Sequence, residues 1–298
     1  MRIGQYQSSS QPSDSEEPWC GVRIDDGVVD LEAAGAAAGI EVPRRTVDLL
    51  TDWEWQRKAE LAVEYAGETG VGVRDLDDLT RAAPVTDPEK IVCVGLNYRD
   101  HAEEGDNPIP DEPVLFSKFP TTVTGPDSTV SWDPAFTQKV DYEAELVAVI
   151  GRETRRVDPD EAMEHVAGFT VGNDVSARDI QHGDGQWVRG KSLDTFAPTG
   201  PDLVTTDEVD DPHNLDIWAE VNGERLQESS TSNLIFGINE LVSVCSQAFT
   251  LKPGDLLFTG TPPGVGVYRD PPVLLGDGDR VTIGVDGIGE LTNHCAFE

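Results

Sequence analysis

KVDYEAELVAVIG, residues 139–151, reads as one long β segment. Successive side chains of a strand point to opposite faces, so Glu143 and Glu145 share a face that continues as Val147 and Val149. That face is wet or cation-filled at one end and buried at the other. Two carboxylates side by side repel unless a cation or a proton lies between them. Acid-x-acid pairs also arise by chance in a chain with 56 acidic residues, mostly on solvated faces. What sets this pair apart is its flank of hydrophobic strand, where a solvated face is least expected.

Around it the chain is mostly strand. IVCVGL (91–96), VLFSKF (114–119) and FTVGND (169–174) are short apolar runs, and LDIWAEVNGERLQ places Asn222-Gly223 between two alternating segments, a strong hairpin signal. NELVSVCSQAF (239–249) reads as a helix stopped before Lys252-Pro253-Gly254. DPDEAMEHVAG reads as a helix with Asp158 at the N-cap, Pro159 at the first turn and Gly168 past the end. The first 85 residues differ: a polar leader, two strands around Asp25-Asp26-Gly27, and a helical spacing from Thr46 to Glu68. The expected fold class is α+β, with a small N-terminal accessory domain (1–85) and a main body (89–298) dominated by mixed or antiparallel sheet.

Composition bounds the partners. The 298 residues carry 56 acidic and 22 basic side chains, a net charge of −34 that repels nucleic acid and anionic lipid. Six Trp and nine Phe argue for a packed core. No apolar run approaches the ~20 residues of a membrane span, and the start lacks a signal-peptide core, so a cytoplasmic protein is expected. The acid excess is spread along the chain and only six cations are lysines, the surface of a protein adapted to a salt-rich cytoplasm. Cys20, Cys93, Cys245 and Cys295 are far apart, as buried free thiols would be.

Three more segments carry chemistry. Asp174 ends an apolar strand; with Glu143 and Glu145 it would suit a hard cation, Mg²⁺ or Mn²⁺, with Ca²⁺ as a further option. His101 and Glu104, at i and i+3 after the strand 91–96, share one side of a helical turn, and a carboxylate beside an imidazole makes a general base. Lysine is scarce, yet Lys118 and Lys191 both fall in these segments, where a cation would face a developing enolate. Thr259-Gly260-Thr261-Pro262-Pro263-Gly264 ends a strand in a turn rich in hydroxyls and amides, a candidate anion pocket.

In order, IVCVGLNYRDHAEE, PVLFSKFPTTVTGP, VDYEAELVAVIG, GFTVGNDVSARD, KSLDTFAPTGP and LLFTGTPPGVG resemble the fumarylacetoacetate hydrolase superfamily through most of 90–297. The resemblance implies a mixed β-roll catalytic domain, a homodimer, and a divalent metal holding a 2-oxo acid or 1,3-dicarbonyl substrate. It assigns Glu143, Glu145 and Asp174 as metal ligands, His101 and Glu104 as a dyad on a mobile lid, and Lys191 as the lysine that stabilises negative charge on the substrate. Arg178, Gln181, Thr261 and Lys118 fall on substrate-contact positions. Larger members carry an additional aspartate ligand before the lid histidine; here the comparable place is near Asn97, which leaves three carboxylates. The expected activity is C–C hydrolysis of an acylpyruvate or fumarylpyruvate. The alternatives are keto–enol isomerisation or decarboxylation of a 2-oxo diacid, dehydration of a 2-keto-3-deoxy sugar acid, or a non-catalytic acidic protein that binds cations. A salt-binding surface needs neither His101 nor Lys191; an enolate-forming site uses both.

Overall fold

A computed structural model describes residues 1–9, 17–25 and 27–298. The larger sheet runs, strand by strand, Val73–Arg74, Gly27–Asp30, Trp19–Ile24, Arg2–Ser8, Ala197–Thr205, Val166–Asn173, Ala144–Ile150, Leu256–Phe258, Ile91–Gly95 and Val114–Lys118. Along this path every pairing is antiparallel except Leu256–Phe258 beside Ile91–Gly95. The smaller sheet runs Glu224–Ser230, Asp216–Val221, Arg280–Val285, Gly289–Phe297 and Thr129–Trp132. With its flanking helices the fold is α+β, as expected.

Ala144–Ile150 is buried along its whole length on both faces. Leu146, Ala148 and Ile150 pack with Phe169, Val171 and residues of the smaller sheet, including Ile217 and Ile283. Val147 and Val149 pack on the other face with Cys93, Phe258 and the N-terminal Leu49, Leu50 and Ala59. A fully buried Val or Leu contributes roughly 1.5–3 kcal/mol, so these two layers hold the strand without help from the acidic end. The expected unbroken strand 139–151 is interrupted: Val140–Asp141 pairs with Ser176–Ala177, while Tyr142 and Glu143 leave the ladder. There the Glu143 N–H donates to the Asn173 side chain (3.0 Å) instead of a strand carbonyl.

The first 85 residues extend the same sheet. The stretch read as a polar leader begins as the strand Arg2–Ser8, which pairs with Trp19–Ile24, with Leu79–Ala82 and with Ala197–Thr205, and buries Ile3 and Tyr6. Leader residues 10–16, and Asp26 of the expected turn, lie outside the described residues. The single helix expected from Thr46 to Glu68 is two, Thr46–Leu50 and Trp55–Thr69, because the Asp52 side chain takes hydrogen bonds from Glu54 N–H (2.9 Å) and Lys58 Nζ (2.5 Å) at the break. A helix that strand reasoning missed, Leu31–Ala38, starts where Asp30 accepts from Ala33 N–H (3.0 Å).

In the body the Asn222-Gly223 hairpin forms, both residues at positive φ (53° and 83°), and the helix Ile238–Ala248 lies where its periodicity puts it. The helix at Pro159 is shorter than expected, Pro159–Ala162 followed by one tight turn, and Gly168 stands inside a strand rather than beyond a helix end. All four cysteines are buried and free. Among the described residues no helix is long and apolar enough to cross a membrane.

Candidate active site

The site is built at the open end of the central strands. Ile91–Gly95 ends in Leu96, held at φ 50°, a turn that throws the chain into the short helix Arg99–Glu104. Asn97 is wholly buried and takes no part in the acidic cluster: its Nδ2 donates to the carbonyls of Phe236 (3.1 Å) and Thr259 (2.7 Å), and its Oδ1 accepts from Phe236 N–H (2.9 Å). It pins that turn to the end of the neighbouring strand.

Glu143, Glu145 and Asp174, 31 positions apart end to end, converge: an oxygen from each lies within 4.8 Å of the others, and all three are buried. The Asp174 N–H donates to the Glu143 carbonyl (3.0 Å), so the two segments are tied through backbone as well. Lys191 Nζ bridges Glu143 Oε2 (2.8 Å) and Asp174 Oδ2 (2.9 Å), with the Phe116 ring 5.2 Å from the ammonium. Lys118 Nζ donates to Asp174 and to the Val175 carbonyl (3.0 Å). Arg178 donates from Nη1 to Glu143 (2.7 Å) and to Gln181 Oε1 (3.0 Å), and from Nε to Asp141 (2.8 Å). Burial opposes the charge on Glu143, but Lys191 and Arg178 outweigh it and hold the carboxyl at about 2.

Glu145 is the odd member. Its hydrogen bond comes from the Gly260 N–H (2.7 Å), and burial together with the Asp174 and Glu143 charges pushes its carboxyl well above the usual range. Gly260 has φ 105°, and a Cβ there would meet Asn97 Cβ at 2.7 Å, so only glycine brings this amide to the carboxylate. Four buried carboxylates (Asp141, Glu143, Glu145, Asp174) face three cations (Lys118, Lys191, Arg178), which leaves one anion unmatched at Glu145. The three oxygens, hard and close-set, fit a small divalent cation.

His101 Nδ1 lies 2.9 Å from Glu104 Oε2, and Glu104 Oε1 accepts from the Gly264 N–H (2.8 Å), which ties the short helix to the Thr-Pro-Pro turn. The His101 ring packs at 5.9 Å between centroids on Tyr268. Of the sequence candidates, His101, Glu143, Arg178, Gln181, Lys191 and Thr261 line one cavity of about 240 Å³. Glu145 and Asp174 stand buried behind that wall, and Glu104 lies outside it at the surface. Lys118 is not among the residues that line the cavity: buried, it backs Asp174. Burial and the nearby Lys191 charge lower its pKa against the pull of Asp174.

Two positioning groups carried no sequence signal. Gln227 accepts from Ala144 N–H (2.9 Å) and donates to Thr261 Oγ1 (2.9 Å) and the Pro262 carbonyl (2.8 Å), fixing the turn to the strand start. Asp141 is the other. A wider cleft of about 770 Å³ between Leu79–Ala83 and Val123–Ser128 holds Asp77, Arg81 and Asp127 but, among the described residues, no histidine and no buried carboxylate cluster.

Residues 90–296 match the fumarylacetoacetate (FAA) hydrolase C-terminal family model. The chain is 41% identical over 297 residues to the mitochondrial oxaloacetate tautomerase fahd2 of Xenopus laevis, covering 98% of this chain and 89% of that protein. Among solved structures it is similar to 5-carboxymethyl-2-hydroxymuconate delta-isomerase from Mycobacterium smegmatis (TM-score 0.77, 34% identity, the whole of both chains). It is also similar to maleylpyruvate hydrolase from Sphingobium sp. SYK-6 in complex with manganese (II) ion and pyruvate (TM-score 0.79, 28% identity, 100% of this chain and 99% of that one).

Proposed function

The chain belongs to the fumarylacetoacetate hydrolase family, and we propose that within it the protein is a divalent-metal-dependent keto–enol tautomerase of a short 2-oxo diacid such as oxaloacetate. The 41% identity to an oxaloacetate tautomerase over nearly the whole chain carries this reading. It favours the isomerase alternative over the C–C hydrolysis expected first, for which the similarity to a maleylpyruvate hydrolase at 28% identity is weaker support. That His101 and Lys191 line one cavity favours an enzyme over a cation-binding surface.

Glu143, Glu145 and Asp174 would hold Mg²⁺ or Mn²⁺, and such an ion, when bound, polarises the 2-oxo group as a Lewis acid. The chain's own residues do the rest. Lys191 and Arg178 put fixed positive charge beside the oxygen that becomes an enolate. His101 has Nδ1 engaged by Glu104, which leaves Nε2 to hold or move the proton between solvent and C3 of the substrate. Ketonisation removes the proton of the enol hydroxyl and adds one at C3, so it needs no attacking water. Hydrolysis would need one.

The homodimer is part of the proposal, supported by Phe119 and Phe136, 56% and 49% exposed beside one cleft. So is the division of the chain: every site residue lies beyond position 89, while residues 1–85 extend sheet and core. Ultraviolet decay of enol-oxaloacetate, followed in molar KCl with Mg²⁺ or EDTA, tests the activity. Acceleration with Mg²⁺ that EDTA abolishes, with acylpyruvates left intact, is expected. Faster cleavage of acylpyruvates than ketonisation of oxaloacetate would return the assignment to hydrolysis.

A further inference from the structure

Asp141 is a wholly buried carboxylate with every acceptor position in use. Its Oδ1 accepts from Tyr142 N–H (2.9 Å) and Gly266 N–H (2.8 Å), and its Oδ2 from Arg178 Nε (2.8 Å) and Val267 N–H (3.0 Å). The loop is shaped to this carboxylate, since a Cβ on Gly266 would meet Asp141 Oδ1 at 2.6 Å. The same strand holds the loop a second time, where Tyr142 Oη donates to the Gly264 carbonyl (3.0 Å). Val265, Val267 and Tyr268 of that loop wall the cavity, and Tyr268 supports the His101 ring. On the other side, Asp141 and Glu143 fix the guanidinium of Arg178 through Nε and Nη1, while Nη2 is buried with no partner.

We infer that Asp141 is a positioning residue: one carboxylate sets both the guanidinium that faces the substrate and the loop on which the His101 imidazole rests. The inference rests on the proposed reading of Arg178 as a substrate-facing group. Asparagine at this position keeps the shape but presents an NH₂ either to the Tyr142 and Gly266 amides or to Arg178 Nε and the Val267 amide, donor against donor, so a loop contact is lost in either orientation and the Arg178 contact in one of them. A displacement near 1 Å in such a site costs about 10²-fold in rate.

The test is a double-mutant cycle of Asp141→Asn and Arg178→Lys on the full chain in molar KCl with Mg²⁺. It is read by calorimetric affinity for oxalate, an unreactive stand-in for the 2-oxo acid end, and by enol-oxaloacetate kcat/KM. Asp141→Asn alone is expected to weaken oxalate about tenfold or more and lower kcat/KM by about 10²-fold; in the Arg178→Lys background the oxalate loss should shrink to no more than about twofold, while kcat/KM keeps the share of its loss that runs through the loop under His101. Oxalate losses that multiply across the cycle would overturn the inference, as would a kcat/KM loss that vanishes in the Arg178→Lys background or a single variant that binds oxalate like the parent. Should Asp141→Asn fail to fold, Asp141→Glu, which retains the charge but shifts it by a methylene, enters the cycle with the same expectations. A parent protein that binds oxalate yet does not speed ketonisation would remove the tautomerase reading and leave the cycle on oxalate intact.

Discussion

Glu145→Gln is expected to shift thermal stability in opposite directions with and without a divalent cation. Without one, Glu145 is a carboxyl whose pKa burial and the Asp174 and Glu143 charges hold well above its unfolded value. A folded-state pKa above the unfolded one means that the contribution is fully present below the unfolded pKa and is lost as pH rises through the folded value. In EDTA the parent therefore loses stability at this group as pH rises above the ordinary carboxyl range and through the raised folded value. Glutamine has no proton to lose, its oxygen still accepts the Gly260 N–H, and its amide donates to the neighbouring carboxylates, so the variant should gain on the parent in EDTA as pH rises and melt higher once Glu145 is ionised. With cation present the order reverses. Ligand at a hundredfold its Kd stabilises by about 2.7 kcal/mol. An unfolding entropy of about 2.1 cal/mol/K per residue over 298 residues is roughly 0.6 kcal/mol/K, so the parent should gain about 4 °C. The variant, one anionic ligand short, should lose most of that gain. Scanning calorimetry in molar KCl, reading variant minus parent at each pH with EDTA or Mg²⁺, cancels the titrating groups outside the acidic cluster. A variant that melts no higher in EDTA and keeps the full Mg²⁺ shift would refute the shared cation.

His101→Gln should leave the Mg²⁺-induced melting shift intact while turnover falls by about 10²–10⁴; a lost shift with normal turnover would reassign the histidine. Lys118→Met leaves the buried Asp174 charge short of a partner and should cost about 3–5 kcal/mol in stability, with Mg²⁺ affinity about 10–100-fold weaker in titration. A melting temperature like the parent's would show that Lys191 alone suffices. With a net charge of −34, the melting temperature should climb steeply as KCl is raised toward 1 M, where the Debye length falls to ~3 Å; a flat curve would detach the acidic surface from salt adaptation.

Local patterns were legible because their physics is local. The alternation around Asn222-Gly223, the apolar run that buries Ala144–Ile150 and the period of Ile238–Ala248 depend on neighbours a few residues away. The acidic pair Glu143 and Glu145 was visible for the same reason, two positions on one strand face, although the chain leaves the ladder at Glu143. Asp174 joined them as an acid at the end of an apolar strand, whereas that Lys191, His101 and Arg178 belong there came from the order of six family-like segments rather than from any spacing.

Tertiary structure decided the rest. Arg2–Ser8 looks polar along the chain and is a strand inside the sheet because Trp19–Ile24 and Ala197–Thr205 offer it two edges. Lys118 is indistinguishable from Lys191 in sequence, yet one backs Asp174 and the other reaches the cavity. Asp141 finds the Gly266 amide 125 residues on, and Gln227 finds that of Ala144 across 83. A single sequence carries the hydrogen-bonding capacity of such groups but not the identity of a distant partner, since that partner is brought near only when the sheets close over the core.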